Sequence, residues 1–234
     1  MLYLYLEAPF ATFRTFTAGS FRPTAEFITP SAAYGLLLNI AGIEMRRHED
    51  GLPMTTIRNG LPRFRLSLGA ISLPSVHSIY QQLHNYPVGN TGKETPERAN
   101  ETAERAKGNK YNITPTRRAF LSDLKAYICL DSHADLENQI KSGLSGSTTR
   151  TYGLPFLGDN NFLISKLEPV TTLLPARWFE RIASEQQEGL RKGVTRLTIS
   201  IDRKDMSRTH SAIFAPLNEP STKIPEKAWV EVGY

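Results

Sequence analysis

Residues 1–10 read MLYLYLEAPF. Leu2, Leu4 and Leu6 alternate with Tyr3, Tyr5 and Glu7, the period-two pattern of a strand with one face in a core. The pattern predicts an opening strand, and Pro9, which has no N–H for a ladder, is expected to end it. The next stretch, ATFRTFTAGSFRPTAEFITP (11–30), holds four phenylalanines and two arginines in no regular period. So long a connection without structure of its own is expected to be packed down or functional.

At PSAAYGLLLNIAG (30–42) the period changes. Ala32, Ala33, Leu36, Leu37 and Ile40 fall at helical spacing, with Ser31 placed to cap the helix and Gly42 to stop it. Gly35 inside the helix costs about 1 kcal/mol against alanine and is expected to mark the close approach of a neighbouring backbone. RFRLSLGAISL (63–73) alternates again, Phe64, Leu66 and Leu68 against Arg63, Arg65 and Ser67, and reads as a second strand. Residues 74–118 break the pattern. Their core, PVGNTGKETPERANETAERAKGNKYNITPTRR (87–118), is polar and dense in both charges, and cannot bury a core face. It reads as an inserted arm, expected to be unordered without a partner.

Regular pattern returns with DLKAYICLD (123–131), a strand, then HADLENQIKSG (133–143), a short helix ended by Gly143, and NFLISKLEPV (161–170), another strand. Strand, helix, strand, insertion, strand, helix, strand is the order of an α+β, ferredoxin-like βαββαβ domain. It is expected over residues 1–170, with the arm inserted at 74–118. Residues 171–234 read as a small β-rich part. There ARWFERIASEQQEG (176–189) has the look of a helical turn, while VTRLTISIDR (194–203), HSAIFAP (210–216) and EKAWVEV (226–232) are strand-like.

The chain of 234 residues is 40% hydrophobic and 22% charged, the balance of a soluble globular protein, and has no apolar run long enough for a membrane span. It opens without a basic leader, so it does not read as a secretory precursor. Its single cysteine, Cys129, lies in the apolar run AYICL and reads as a buried, inert thiol. A cytoplasmic protein without disulfides or cysteine-held zinc is expected. A net charge of +5 favours polyanionic partners.

Every basic residue before Lys93 is an arginine. Guanidinium forks suit phosphates better than ammonium groups do, and Arg14 and Arg22 sit in the long first loop. At the end of the arm, Lys107, Lys110, Arg117 and Arg118 bracket Tyr111, with Asn109 among them. Charge for phosphates beside a ring for a base is what an unpaired nucleotide strand needs. The glycine-rich tract 143–158, which carries Arg150, would let a backbone approach RNA closely. The histidines, His48, His77, His84, His133 and His210, form no metal-ligand spacing. His77 and His84, seven apart, would share a face if VHSIYQQLH were helical, the one arrangement here that allows two-histidine acid–base cleavage of RNA. No metal or cofactor is implied.

Five segments together resemble a known family: LYLYLEAPFATFR (2–14), TPSAAYGLLLNIAG (29–42), QQLHNYP (81–87), GNKYNITPTRRAFLSDL (108–124) and YGLPFLGDNNFLI (152–164). They are similar to the Cas-five family of CRISPR-associated RAMP proteins, in its myxobacterial-type branch. Members cap the 5′ handle of the guide RNA (crRNA) in type I Cascade complexes. The resemblance implies a thumb-like arm over the guide, contact with the backbone RAMP subunit and the large subunit, and target DNA reached through the complex. It places Arg14, Tyr34, Lys110, Tyr111, Arg117 and Arg118 in the matched elements. One branch of the family cleaves precursor RNA with a helix tyrosine and an adjacent Lys-His pair. No Lys-His dipeptide occurs here. The expectation is therefore a non-catalytic RNA-binding subunit. The alternative is a metal-independent endoribonuclease using Tyr34 or His84 with a lysine, and a third reading is a structural adaptor.

Overall fold

The alternation at the start of the chain does build a strand, and its even residues Leu2, Leu4, Leu6 and Ala8 are all buried. A computed structural model describes residues 1–15, 21–50, 55–84, 113–149, 153–182 and 191–234. Its elements begin with β1 (Leu2–Ala11), α1 (Pro30–Ile40), β2 (Arg46–Arg47), β3 (Thr56–Ile57), β4 (Phe64–Ser72) and β5 (Ser75–His84). There follow β6 (Ile113–Asp131), α2 (Ala134–Leu144), β7 (Lys166–Val170), β8 (Arg177–Arg181), β9 (Thr195–Ser200), β10 (His210–Pro216) and β11 (Val230–Val232). Among the described residues the result is α+β: a mostly antiparallel sheet with two helices. The strand order is β7–β1–β6–β4–β8–β10–β9, with β11 paired to β4, β5 paired to β6, and β2–β3 forming a separate two-stranded unit. Strands β8 to β11 thus enter the same sheet through β4. No described helix is long and apolar enough to cross a membrane.

Both helices bury side chains in the main core, which also holds the even-numbered face of β1 and its partners Leu124, Ala126, Ile128 and Leu130 on β6. The cap of α1 is Thr29, not Ser31: its hydroxyl accepts from the Ala32 N–H at 3.2 Å. Gly42, at φ +78°, ends the helix as expected. A Cβ on Gly35 would meet only the Met45 sulfur at an ordinary 3.6 Å, so no backbone presses on it. The close approach is at Gly143 instead, where a Cβ would lie 1.8 Å from the Ile40 carbonyl oxygen. Gly143 lets α2 lie against the end of α1; it does not stop α2, which runs on to Leu144. Gly143→Ala is expected to lower unfolding free energy by about 1–3 kcal/mol, the range for overpacking a core contact, read as a shift in denaturation midpoint.

β1 does not end at Pro9. It continues to Ala11, and the ladder skips one step. The register sets Pro9 opposite Asp123 on one side of β6 and Pro74 opposite it on the other; neither position is paired. Asp123 itself takes the left-handed conformation, φ +57°. Burial changes phase there in both strands: from Ala8 to Ala11 on β1, and from Leu124 to Leu121 on β6. Two imino acids without N–H groups and one left-handed residue thus bend the sheet at one level.

Beyond this bend the inserted arm begins as a ribbon. Residues 75–84 and 113–122 are paired strands, and from Phe120 outward β6 has, among the described residues, only β5 as a partner apart from one bridge to Arg22. The exposed residues of β5 explain why this stretch looked unable to bury a core face. The arm's middle, 85–112, lies outside the described residues. Because β5 is a strand, positions 77 and 84 fall on opposite faces and no helical histidine pair forms. The expected helical turn at 176–189 is corrected in its first half: Arg177–Arg181 is strand β8, with Trp178 and Phe179 both buried, while 183–189 lie outside the described residues. Gly69 of β4 opens the slot for Trp178, since a Cβ would lie 2.7 Å from its ring.

Candidate nucleic-acid interface

The described ends of the long first loop are tied down by backbone groups and two threonine hydroxyls. The Thr12 N–H donates to the Leu157 carbonyl at 3.0 Å, and its hydroxyl donates to the Ala119 carbonyl at 3.1 Å. Thr24 returns alongside, its hydroxyl accepting from the Phe13 N–H at 2.9 Å. Arg22 then pairs with the ribbon: its N–H donates to the Arg117 carbonyl and its carbonyl accepts from the Ala119 N–H, both at 2.8 Å. A tight turn around Phe156–Leu163 docks on the same place. Its Gly158, at φ +82°, lies so close that a Cβ would be 1.6 Å from the Thr12 carbonyl oxygen. Three segments distant in sequence therefore meet at the base of the ribbon.

This junction gathers Arg14, Arg22, Arg117 and Arg118. Arg118 forms an ion pair with Asp159 at 2.5 Å, and its guanidinium lies 5.4 Å from the centre of the Phe162 ring. The Asp159 carboxyl is held below its ordinary value first by the Asn161 N–H that it accepts, then by Arg118 and the nearby charge of Arg14, against the opposing effect of partial burial. Arg117 is exposed. Its Nε and Nη2 donate to the Ser78 hydroxyl at 3.2 and 3.1 Å, and it lies over the Phe21 ring at 5.3 Å. Arg14 and Arg22 are also exposed.

Strand alternation separates the neighbours Arg117 and Arg118 onto opposite faces. The Arg117 face carries Tyr80, its register partner, which is 79% exposed. The Arg118 face carries a cluster of rings: Phe10, Phe120 and Phe162 within 5.6–6.1 Å of one another, with His77 stacked on Phe120. One face thus offers a free ring beside a cation, and the other a packed aromatic support for the cation pair.

Its lowered pKa makes the Asp159 pair a source of stability at neutral pH. The contribution is complete above the ordinary aspartate value of 3.8 and is lost as pH falls through the lower folded-state value. Asp159→Asn is expected to lower stability by about 1 kcal/mol at pH 7, with the gap to wild type closing in acid. Urea unfolding at pH 7 and pH 3 reads both parts.

Tyr34 is not at this interface. It is fully buried on α1, donates its O–H to the Pro62 carbonyl at 2.8 Å, and stacks on Phe64. Burial first, and Tyr234 second, raises its hydroxyl well above the ordinary tyrosine range. Its assignment to RNA contact is corrected to a core role, since helix position alone does not tell which face is covered. Lys107, Asn109, Lys110, Tyr111 and Arg150 lie outside the described residues. Sequence reasoning missed Phe21, Ser78, Tyr80, Asp159 and Phe162. Phe21 had a legible signal, an aromatic directly before Arg22; the others depend on strand pairing.

A family-wide sequence profile described as "CRISPR-associated protein (Cas_Cas5)" matches residues 1–193. Among solved structures, a chain of a "CRISPR RNA-guided surveillance complex" is 13% identical, with 97% of this chain and 92% of that one covered at a TM-score of 0.54. At that identity the likeness is one of fold. A chain described as "Crystal structure of Cas protein" is 15% identical, covering 96% of this chain and 97% of its own at a TM-score of 0.48. No curated protein sequence matches this chain.

Proposed function

The chain belongs to the Cas5 family of CRISPR-associated proteins, and from that premise we propose that it is a non-catalytic subunit of a type I, Cascade-like effector complex, holding the 5′ handle of the guide RNA. The observation that carries this reading is the convergence of Arg14, Arg22, Arg117 and Arg118 from distant segments at the root of an extended ribbon. Guanidinium groups there would take handle phosphates, and the exposed rings of Tyr80 and Phe21 would take unpaired bases. The ribbon would carry the arm across the guide toward a neighbouring backbone subunit, with the large subunit and target DNA reached through the assembly. The cytoplasm is the compartment this role requires.

A ferredoxin-like reading of the fold belongs with this proposal. The order β7–β1–β6–β4, antiparallel throughout, with α1 between β1 and β4 in sequence and α2 between β6 and β7, supports it. The endoribonuclease alternative has no specific support. A tyrosine-dependent version would need a hydroxyl that the fold commits to the Pro62 carbonyl.

The test is labelled repeat RNA incubated with purified protein in EDTA, run on native and denaturing gels. A shifted, intact RNA is the expected result. A discrete cut within the repeat would replace the reading with a processing nuclease. Absence of any shift would overturn direct handle binding by this chain.

A further inference from the structure

A second arginine-rich cleft lies away from the ribbon, between the β2–β3 unit and the β9–β10 connection. It has a volume of about 430 Å³ and is bordered by Arg47, Arg58, Arg203, Lys204 and Arg208. The acids nearby are already engaged. Glu49 accepts from the Thr56 hydroxyl at 2.8 Å and pairs with Lys204 at 3.2 Å. Asp202 caps the turn by accepting from the Lys204 and Asp205 N–H groups, and Asp205 pairs with Arg208. Among the described residues, Arg47, Arg58 and Arg203 have no carboxylate within ion-pair distance. Arg58 donates only its Nε, to the Arg46 carbonyl at 3.1 Å. Arg47 and Arg58 feel Glu49 and Glu44 only at longer range. Five cations line the cleft against the carboxylates of Glu49 and Asp202, so its charge balance stays positive and favours an anion.

The cleft is continuous with another. A groove of about 540 Å³ runs along α1, and the two share Ile57, Ile201, Arg203 and Tyr234 as lining. The groove's lining also includes Arg14, a member of the arginine junction, and its walls are mostly apolar: Leu36, Ile43 and Met45, with Leu154 and Phe156 exposed at 70% and 44%. The one carboxylate on its lining, Glu44, pairs with Arg46. Cations beside apolar walls match the alternation of phosphate and base in an unpaired strand. An acidic peptide would leave the apolar walls uncovered.

We infer that the Arg47–Arg58–Arg203 cleft is a second phosphodiester-binding site, which takes a single nucleic-acid strand continuing along α1 from the arginine junction. The inference rests on the reading of this chain as an RNA-binding subunit and extends the path that reading requires. Planar guanidinium forks bind phosphate oxygens in bidentate fashion, so the site grips backbone and reads no sequence.

The experiment uses the full chain, fluorescein-labelled repeat RNA, and DNA of the same sequence, with anisotropy followed over a salt series. The triple variant Arg47→Ala/Arg58→Ala/Arg203→Ala is compared with wild type and with Arg22→Ala/Arg117→Ala. Losing about three phosphate contacts should lower the slope of log affinity against log salt by about 2 and weaken binding about tenfold or more. The lysine triple variant should recover the salt slope, which separates lost charge from a misfolded chain. Wild-type affinity and slope in the alanine triple variant would overturn the cleft while leaving the junction reading intact. Loss in the triple variant but none in Arg22→Ala/Arg117→Ala would support the cleft and overturn the junction. No binding by wild type would overturn both. Preference for DNA assigns the site to a displaced DNA strand, preference for RNA assigns it to the guide, and equal competition leaves the site standing as a phosphodiester grip without sugar preference.

Discussion

Replacing Arg22 and Arg117 together with alanine is expected to weaken binding of labelled repeat RNA about 30- to 100-fold without loss of thermal stability. Each side chain is exposed, and the backbone bonds that fix both residues do not involve the guanidinium groups. Surface truncation away from caps and cores rarely costs more than about 0.5 kcal/mol of stability. A charge-assisted hydrogen bond to a phosphate contributes roughly 1.5–3 kcal/mol, and solvent exposure at this rim reduces each to about 1–1.4 kcal/mol. Two such losses give the stated range. The salt slope should fall by about 1.4, since each single-strand phosphate contributes roughly 0.7. Arg118→Ala is the informative contrast. Its guanidinium already faces Asp159 and Phe162, so its removal should cost stability before affinity. Equal RNA binding by wild type and the double variant would dismiss the junction as the handle site.

Gly158→Ala is expected to be the most damaging single methyl in the described chain. The residue sits at φ +82°, where an L side chain costs about 1–2 kcal/mol, and the new Cβ would fall 1.6 Å from the Thr12 carbonyl oxygen. Backbone cannot rotate away as a flexible side chain does, so overpacking adds about 1–3 kcal/mol. A loss of about 3–4 kcal/mol in denaturant unfolding follows. RNA affinity should fall with it, because the turn carrying Asp159 supports Arg118. Gly146→Ala supplies the control: the same left-handed backbone, φ +79°, but open space around the Cβ. It should lose only the conformational cost of about 1–2 kcal/mol. If both variants lose the same amount, contact with Thr12 contributes nothing and the docking argument fails.

Much of the scaffold was legible because periodicity is a local property. Leu2, Leu4 and Leu6 declared the face of β1, and the 3.6-residue spacing through Ala33, Leu36, Leu37 and Ile40 declared α1. The errors share one cause. Pro9 does stop a ladder bond, but a strand survives one missing bond when Asp123 opposite adopts a conformation that asks for none. RWFER at 177–181 mixes charge and aromatics like a helix turn, yet it is a strand because β4 and β10 hold it on both sides. A segment that gains its pairing from distant partners shows no period of its own.

The candidate site divides in the same way. Arginine, the residue type suited to phosphate, and the basic end of the arm were written in composition and order alone: Arg14, Arg22, Arg117 and Arg118 were each identifiable. Which of them share a surface was not, because strand alternation sends Arg117 and Arg118 to opposite faces and hydrogen bonding between Arg22 and the ribbon brings the loop to them. Tyr34 carried the same chemical credentials, and only packing removed it to the core. Arg47, Arg58 and Arg203, without an ion pair among the described residues, likewise come together across more than 140 positions of sequence. Residue chemistry and local period are properties of the chain itself; neighbourhood, exposure and the pairing of charges arise only when long-range strand register folds distant segments onto one another.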